Sequence, residues 1–498
     1  MATALDRFPV VVGVGQTSQR VPASEAKAPI ELLEDAARAA ETDAGAALLA
    51  RTDIVAIVQI ASWPYPNPGA LVSRRLGSEP KATAVSTVGG NSPQLLVNEM
   101  AERIQRGECD VVLIGGAESM HTRWRARREP RVELTWENGG DEPCAWVIGD
   151  ARPGTNDEEM RHGAVAPTMV YPLFETALRA EAGRDVETHQ RHVSEFWSTF
   201  SEVAAGNPHA WTRDACSPEE IRTVTPDNRM VVFPYPKRMC ANIDVDQGAA
   251  LLLCSYDAAR RAGVDHDRIV FLHAAAQAHD HWFVTERDSL ARSPGIAAVV
   301  GDTFTAGGIG IDDIAHLDVY SCFPSAVEVA AREIAVDVAR PLTVTGGLGF
   351  AGGPVNNYPT HAIARMVERL RAEPGAYGLT TALGWYLTKH AAGVWSTRPP
   401  AAGFRRVDPE ATQARVDAQP ARSPAGLVDG ELVIEATSVA FDRDGTPSTG
   451  VVTALLGDGR RAIARCADVD LLRQFTLEAW EGRTVRVTND GSTNSVLG

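Results

Sequence analysis

The chain has 498 residues and a formal net charge of -16, with 44% hydrophobic and 22% charged residues. This is ordinary soluble globular composition, and the acidic balance argues against nucleic acid or an anionic membrane as the main partner. No apolar run approaches the ~20 residues that span a bilayer, no secretory pattern opens the chain, and the 7 cysteines form no Cys-x-x-Cys pair, so reduced thiols and a cytoplasmic location are expected.

The length suggests about three domains. Residues 9–15 (PVVVGVG) read as a buried strand, 31–40 (ELLEDAARAA) as a helix and 54–60 (IVAIVQI) as a second strand. Val12-Gly13-Val14-Gly15 lacks the third glycine of a dinucleotide fingerprint. Residues 87–120 (TVGGNSPQLLVNEMAERIQRGECDVVLIGGAESM) carry the strongest pattern. They read as a Gly-rich turn, an amphipathic helix with Ser92 as cap and Pro93 at its first position, a stop at Gly107 and a buried strand.

Residues 121–240 are rich in Arg, Trp, Pro and Asn and read as surface helices and loops. A second copy of the β/α unit then begins near Arg268, with a helix over 295–305, a strand over 316–320, a Gly-rich turn over 346–353, a helix from Pro359 and a strand over 378–382. Val10 and Val270 are 260 apart, Gly90 and Gly353 are 263, and Leu113 and Thr380 are 267. A nearly fixed offset between alternating units marks an internal duplication. Residues 399–424 read as a Pro-, Ala- and Arg-rich linker, and 425–498 as short strands between turns, a small OB-like β-barrel.

The Gly-rich turn, helix, strand and Gly115-Gly116-Ala117-Glu118-Ser119-Met120 together resemble the nucleophile segment of the thiolase superfamily. The resemblance spans about residues 7–398 and implies an α/β fold: two similar halves (1–120 and 241–398) in a five-layer αβαβα core, with 121–240 as a loop domain that binds coenzyme A. The added tail is similar to that of type-1 thiolase-like proteins. The resemblance implies acyl-CoA as ligand, no covalently bound cofactor, and acyltransferase activity in lipid metabolism.

The family's catalytic groups are missing at the matching positions. Its nucleophilic cysteine falls on Gly90, its Gly-His-Pro histidine on Gly353, and its second cysteine near Leu383-Gly384. Tyr320 and Cys322 stand in the family's Asn-Glu-Ala-Phe motif. Such groups act as one unit, so ordinary thiolysis is not expected. The remaining catalytic candidates are Tyr320, Cys322 and His361, while Lys389 and His390 face either the site or solvent. The amides of Gly89, Gly90 and Asn91 are candidates for holding a carbonyl oxygen, and Asn356 and Asn357 for a polar ligand.

Arg123, Trp124 and Arg125, with Arg127, Arg128 and Arg131, read either as a site for coenzyme A phosphates and adenine or as a solvated basic loop. Lys237 and Arg238 are a weaker patch. His189 with His192, and His279-Asp280-His281, lack a clear set of further ligands, so no metal is expected. An acyl-CoA binding protein is the leading reading. The alternatives are a non-thiolase enzyme on acyl-CoA that uses Tyr320, or a scaffold subunit whose β-domain docks a protein partner.

Overall fold

A computed structural model describes residues 4–129, 132–140 and 142–497. One mixed sheet of eleven strands runs through the core. Its first half has the order Trp146–Ile148, Ala82–Ser86, Ile54–Ile57, Val111–Ser119, Asp246–Ser255, Pro9–Ser18. Its second half has the order Ile314–Asp318, Tyr377–Gly384, Lys389–Ser396, Val270–His279, with Arg405–Arg406 pairing beside Val270–His279 as the eleventh strand. Number each half's strands along the chain and both orders agree, except that the second half has no counterpart of Ala82–Ser86 or Trp146–Ile148. Among the described residues, the halves pair edge to edge only through Val10 and Val11 with Phe271 and Val270.

The two halves therefore stack through helices. Ser92–Gln105 and Tyr358–Ala372 each pack against strands of both halves and against one another. Leu96, Val97, Met100 and Ile104 of the first are buried with Ile363, Met366, Val367 and Leu370 of the second. Pro29–Ala44 covers the outer face of the first half and Pro294–Gly307 that of the second. These are the five layers that the resemblance implied. Gly13 and Gly15 allow the outer helix its close approach: a Cβ on them would lie 2.1 Å from Ala40 O and 2.0 Å from Ala36 O.

Several local expectations are corrected. Asn91, not Ser92, precedes the first helical residue, and Ser92 Oγ instead donates to Thr87 O at 2.8 Å. The stretch 399–424 is not an unstructured linker: Pro409 opens a helix, Pro409–Asp417, capped by Asp408, and it packs on Val270–His279 and Pro294–Gly307. Residues 121–240 hold more than surface helices. Trp146–Ile148 extends the first half-sheet along Ala82–Ser86.

The C-terminal strands are Gly430–Phe441, Pro447–Leu455, Arg461–Cys466, Thr484–Asn489 and Asn494–Leu497, with a helix, Val469–Leu477, between the third and fourth. The first strand pairs with the second and the fourth, and the fifth bridges the fourth to the third. That closes a five-stranded barrel with OB-like topology. Met230–Phe233 of the loop domain adds to its first strand through Phe233 with Val439 and Val232 with Ala440.

Candidate functional site

The Gly-rich turn reaches the second half at the point the resemblance implied. A Cβ built on Gly90 would lie 2.2 Å from Tyr320 Oη and 2.5 Å from Leu383 O. Gly90, Tyr320 and Leu383 thus converge, and the phenol fills the space where a nucleophile's side chain would stand. Tyr320 is 7% exposed, and its ring meets Tyr358 edge-on at 5.6 Å. Burial, and then Cys322, push its hydroxyl well above the ordinary phenol range. The cavity it lines with Leu383 and His390 is about 20 Å³, room for about one water. Tyr320 is thus a buried side chain that fills the space beside Gly90, and the cavity it lines is too small for an acyl group.

The other candidates are likewise buried. Burial raises the Cys322 thiol to about 12, which disfavours the thiolate near neutral pH. His361 is pushed down to about 3 by burial and by His209, and its Nδ1 lies 2.9 Å from Gln16 Oε1. A ring held neutral there is a poor general base. Gly353 lies against Asn242, whose carbonyl accepts its N–H at 2.9 Å. Asn356 accepts from Gly89 N at 2.9 Å and donates to Gln59 O, while Asn357 donates to Gly116 O and accepts from Thr360 Oγ1. Both asparagines therefore brace the turn and the sheet. Gly89 N is consumed in the same way. Asn91 Oδ1 is buried without a partner.

Lys389 and His390 both point inward, each 4% exposed. His390 Nε2 sits 2.9 Å from Asp280 Oδ2, and Asp280 Oδ1 accepts from Gly295 N, so this pair braces the start of Pro294–Gly307. Lys389 Nζ donates to Val88 O at 2.5 Å and to Asp150 O at 3.3 Å. Its stem passes between two glycines: a Cβ on Gly89 or Gly384 would lie 2.9 Å from Lys389 Cε.

Outside that wall runs a groove of about 660 Å³, lined by Ile60, Tyr65, Val88, Asp150, Arg152 and Trp385 among others. Trp385 and Leu387 hold left-handed φ values of 57° and 53° in the turn between Tyr377–Gly384 and Lys389–Ser396, a strained conformation for large side chains. On the opposite side, Glu118 accepts from Ala61 N at 2.8 Å and Ser62 N at 2.7 Å. Burial raises this carboxyl to about 7. Sequence reasoning used Glu118 only as a motif marker; its role in pinning the groove wall appears only in the fold.

Arg123, Trp124 and Arg125 lie on a short helix, Met120–Ala126. Arg123 Nη1 donates to Ala61 O at 3.1 Å, next to the groove residue Ile60, whereas Arg125 turns to Val21 O and Glu129. Arg127 and Arg128 are exposed, and Arg131 lies outside the described residues. Lys237 is exposed and Arg238 donates to Glu220 O. His189 does have acidic neighbours: among the described residues, it groups with Glu175 and Glu328 within 4.8 Å. Its Nε2 is 2.6 Å from Glu175 Oε1, to which Tyr235 adds a hydrogen bond at the other oxygen. Those carboxylates come from two other helices, so spacing along the sequence gave no sign of them.

The family described as the thiolase-like protein type 1 additional C-terminal domain matches residues 411–492. The whole chain is similar to the crystal structure of a monomeric SCP2-thiolase-like protein type 1 from Mycobacterium smegmatis. The two are 33% identical over 99% of each chain, with a TM-score of 0.85. The Ltp2-ChsH2(DUF35) aldolase is 19% identical over 79% of this chain and 98% of that one, with a TM-score of 0.61. Human mitochondrial 3-ketoacyl-CoA thiolase in complex with CoA is 16% identical over 79% of this chain and 99% of its own, with a TM-score of 0.56. At those identities the last two share the fold alone. Comparison with curated proteins gives no match. No helix among the described residues is long and apolar enough to cross a membrane. Duplicated core, loop domain and closed C-terminal barrel agree with the 33% identity over the full length: the chain belongs to the SCP2-thiolase-like type 1 proteins of the thiolase superfamily.

Proposed function

We propose that this protein binds acyl-CoA thioesters in lipid metabolism and has given up the covalent chemistry of thiolases. The observation that carries the reading is the Tyr320 hydroxyl in the space of a side chain at position 90. A chain that fills its nucleophile position with a buried phenol has no room there for an acyl-enzyme. The ligand would lie instead in the adjoining groove, whose ~660 Å³ is within the range of small-molecule sites. Arg152 and Trp385 offer a guanidinium and an indole to phosphate and adenine, and Arg123 stands beside the same wall. Solved relatives of the same fold include a thiolase in complex with CoA. A reaction through Tyr320 gains no support, since burial keeps its proton on and its hydroxyl faces backbone.

Calorimetric titration with coenzyme A, acetyl-CoA and longer acyl-CoAs tests the reading. Binding is expected without multiple turnover, and intact mass should show no acyl group on any of the 7 cysteines. Absence of binding by all of these ligands, or an acyl-cysteine, would overturn it.

A further inference from the structure

The chain carries 48 Lys and Arg together, yet only four are lysines: Lys27, Lys81, Lys237 and Lys389. The first three are exposed and the fourth is buried. Lysine differs from arginine in one respect that matters here: its amine can lose a proton and attack a carbonyl.

Three contacts of the Lys389 ammonium are Val88 O, Asp150 O and the Trp385 ring, whose centroid is 5.7 Å away. Val88, Asp150 and Trp385 all line the groove. The amine thus lies directly behind the wall of the proposed thioester site: Lys389 opens the strand after the turn on which the resemblance places the second cysteine, and its amine rests on Val88 beside the Gly90 turn. Two neighbouring positions are shaped around it. Gly89 and Gly384 leave the gap through which its stem passes, and the unpartnered Asn91 Oδ1 borders the same gap, 2.5 Å and 2.4 Å from the Cβ positions those glycines lack. Burial, only partly offset by Asp150, lowers the ammonium to about 8. Much of it is therefore the free amine at mildly alkaline pH, where exposed lysines are almost wholly protonated.

We propose that Lys389 is an acyl-acceptor site, modified once per chain by an acyl-CoA thioester bound in the groove. The neutral Nζ attacks the thioester carbonyl. A carbon–nitrogen bond forms, the carbon–sulfur bond breaks, and the amine proton leaves with the sulfur as free coenzyme A thiol. The product is an amide, so the step is a stoichiometric modification and not a turnover. This inference rests on the acyl-CoA reading of the groove.

The test is peptide mapping of the full chain after incubation with acetyl-CoA across pH 7 to 10. With only four lysines, every site can be followed. Lys389 is expected to gain one acetyl group roughly 10-fold faster than Lys27, Lys81 or Lys237 near pH 8, with a rate that levels off above its own pKa. Acetic anhydride serves as a second probe that needs no coenzyme A site. If coenzyme A binds by calorimetry but Lys389 is acetylated no faster than the exposed lysines, the inference falls and the binding reading stands. If coenzyme A does not bind, the binding reading falls and takes this one with it, whatever the anhydride does. If binding is seen and neither reagent labels Lys389, the amine is sealed and the inference is wrong.

Discussion

Position 90 shows how a single residue type can redirect a site. Glycine there and tyrosine at 320 are two halves of one choice, since a Cβ would lie 2.2 Å from the phenol oxygen and 2.7 Å from its ring carbon. Restoring the family's cysteine with Gly90→Cys should therefore destabilise the chain by about 1–3 kcal/mol, as overpacking does. Urea denaturation measures it. In a Tyr320→Ala background the same change should cost clearly less, because the two residues share one space. Equal costs in both backgrounds would show that the space is not shared. Counting back from Glu118 was enough to put Gly90 in the nucleophile's place. That Tyr320 fills it was not legible, because the two residues belong to different halves and only the stacking of the sheets brings them together. The roles of Asn356 and Asn357 stayed hidden for the same reason. Their amides satisfy backbone groups of the other half, and an Asn after a Gly-rich turn looks alike in sequence whether it holds a ligand or a loop.

Between elements, the periodicities were the readable part. The apolar spacing of Ser92–Gln105 and Tyr358–Ala372 betrayed two helices, and their full burial follows from lying between sheets. Contacts across elements were less readable. Polar composition hid Pro409–Asp417, which is held by its Asp408 cap and by Thr412 and Arg415 to Asp302. Glu118 is the clearest link between an element and the groove: it ends Val111–Ser119 and fixes the backbone of Ala61 and Ser62 beyond Ile54–Ile57. Its carboxyl keeps a proton up to about pH 7 in the fold, above its ordinary 4.5. Between these values the folded chain binds more protons than the unfolded one, so stability contributed by Glu118 is fullest at low pH and declines as pH rises from about 4.5 to 7. The decline amounts to at most about 3 kcal/mol. Glu118→Gln should remove this portion of the slope. Denaturation of wild type and variant at several pH values checks it, and parallel profiles would exclude it.

For the molecule as a whole, the question is whether the barrel is an appendage or part of one folding unit. The sequence correctly suggests an added OB-like domain, yet it also suggests a loose connection, and the contacts are otherwise. Arg461 of the barrel is fully buried; it is paired with Glu435 and donates to the carbonyls of Val284, Thr285, Arg287 and Asp288 in the second half. On the other side, Arg179 of the Pro167–Glu181 helix meets Glu481 of the barrel at 2.6 Å, with side chains 2% and 4% exposed. Thr176 and Thr437 exchange hydrogen bonds beside it. Desolvated ions are tolerated there because each is matched, and removing one leaves the other uncompensated. Arg179→Met should thus cost about 3–5 kcal/mol, with part of the loss recovered in Arg179→Met/Glu481→Gln. The probe should resolve the two regions, such as hydrogen exchange of barrel and core peptides in urea. If the barrel and core unfold as a coupled unit, both signals shift together. A barrel transition that moves alone, with the core midpoint unchanged, would make the C-terminal domain an independent passenger.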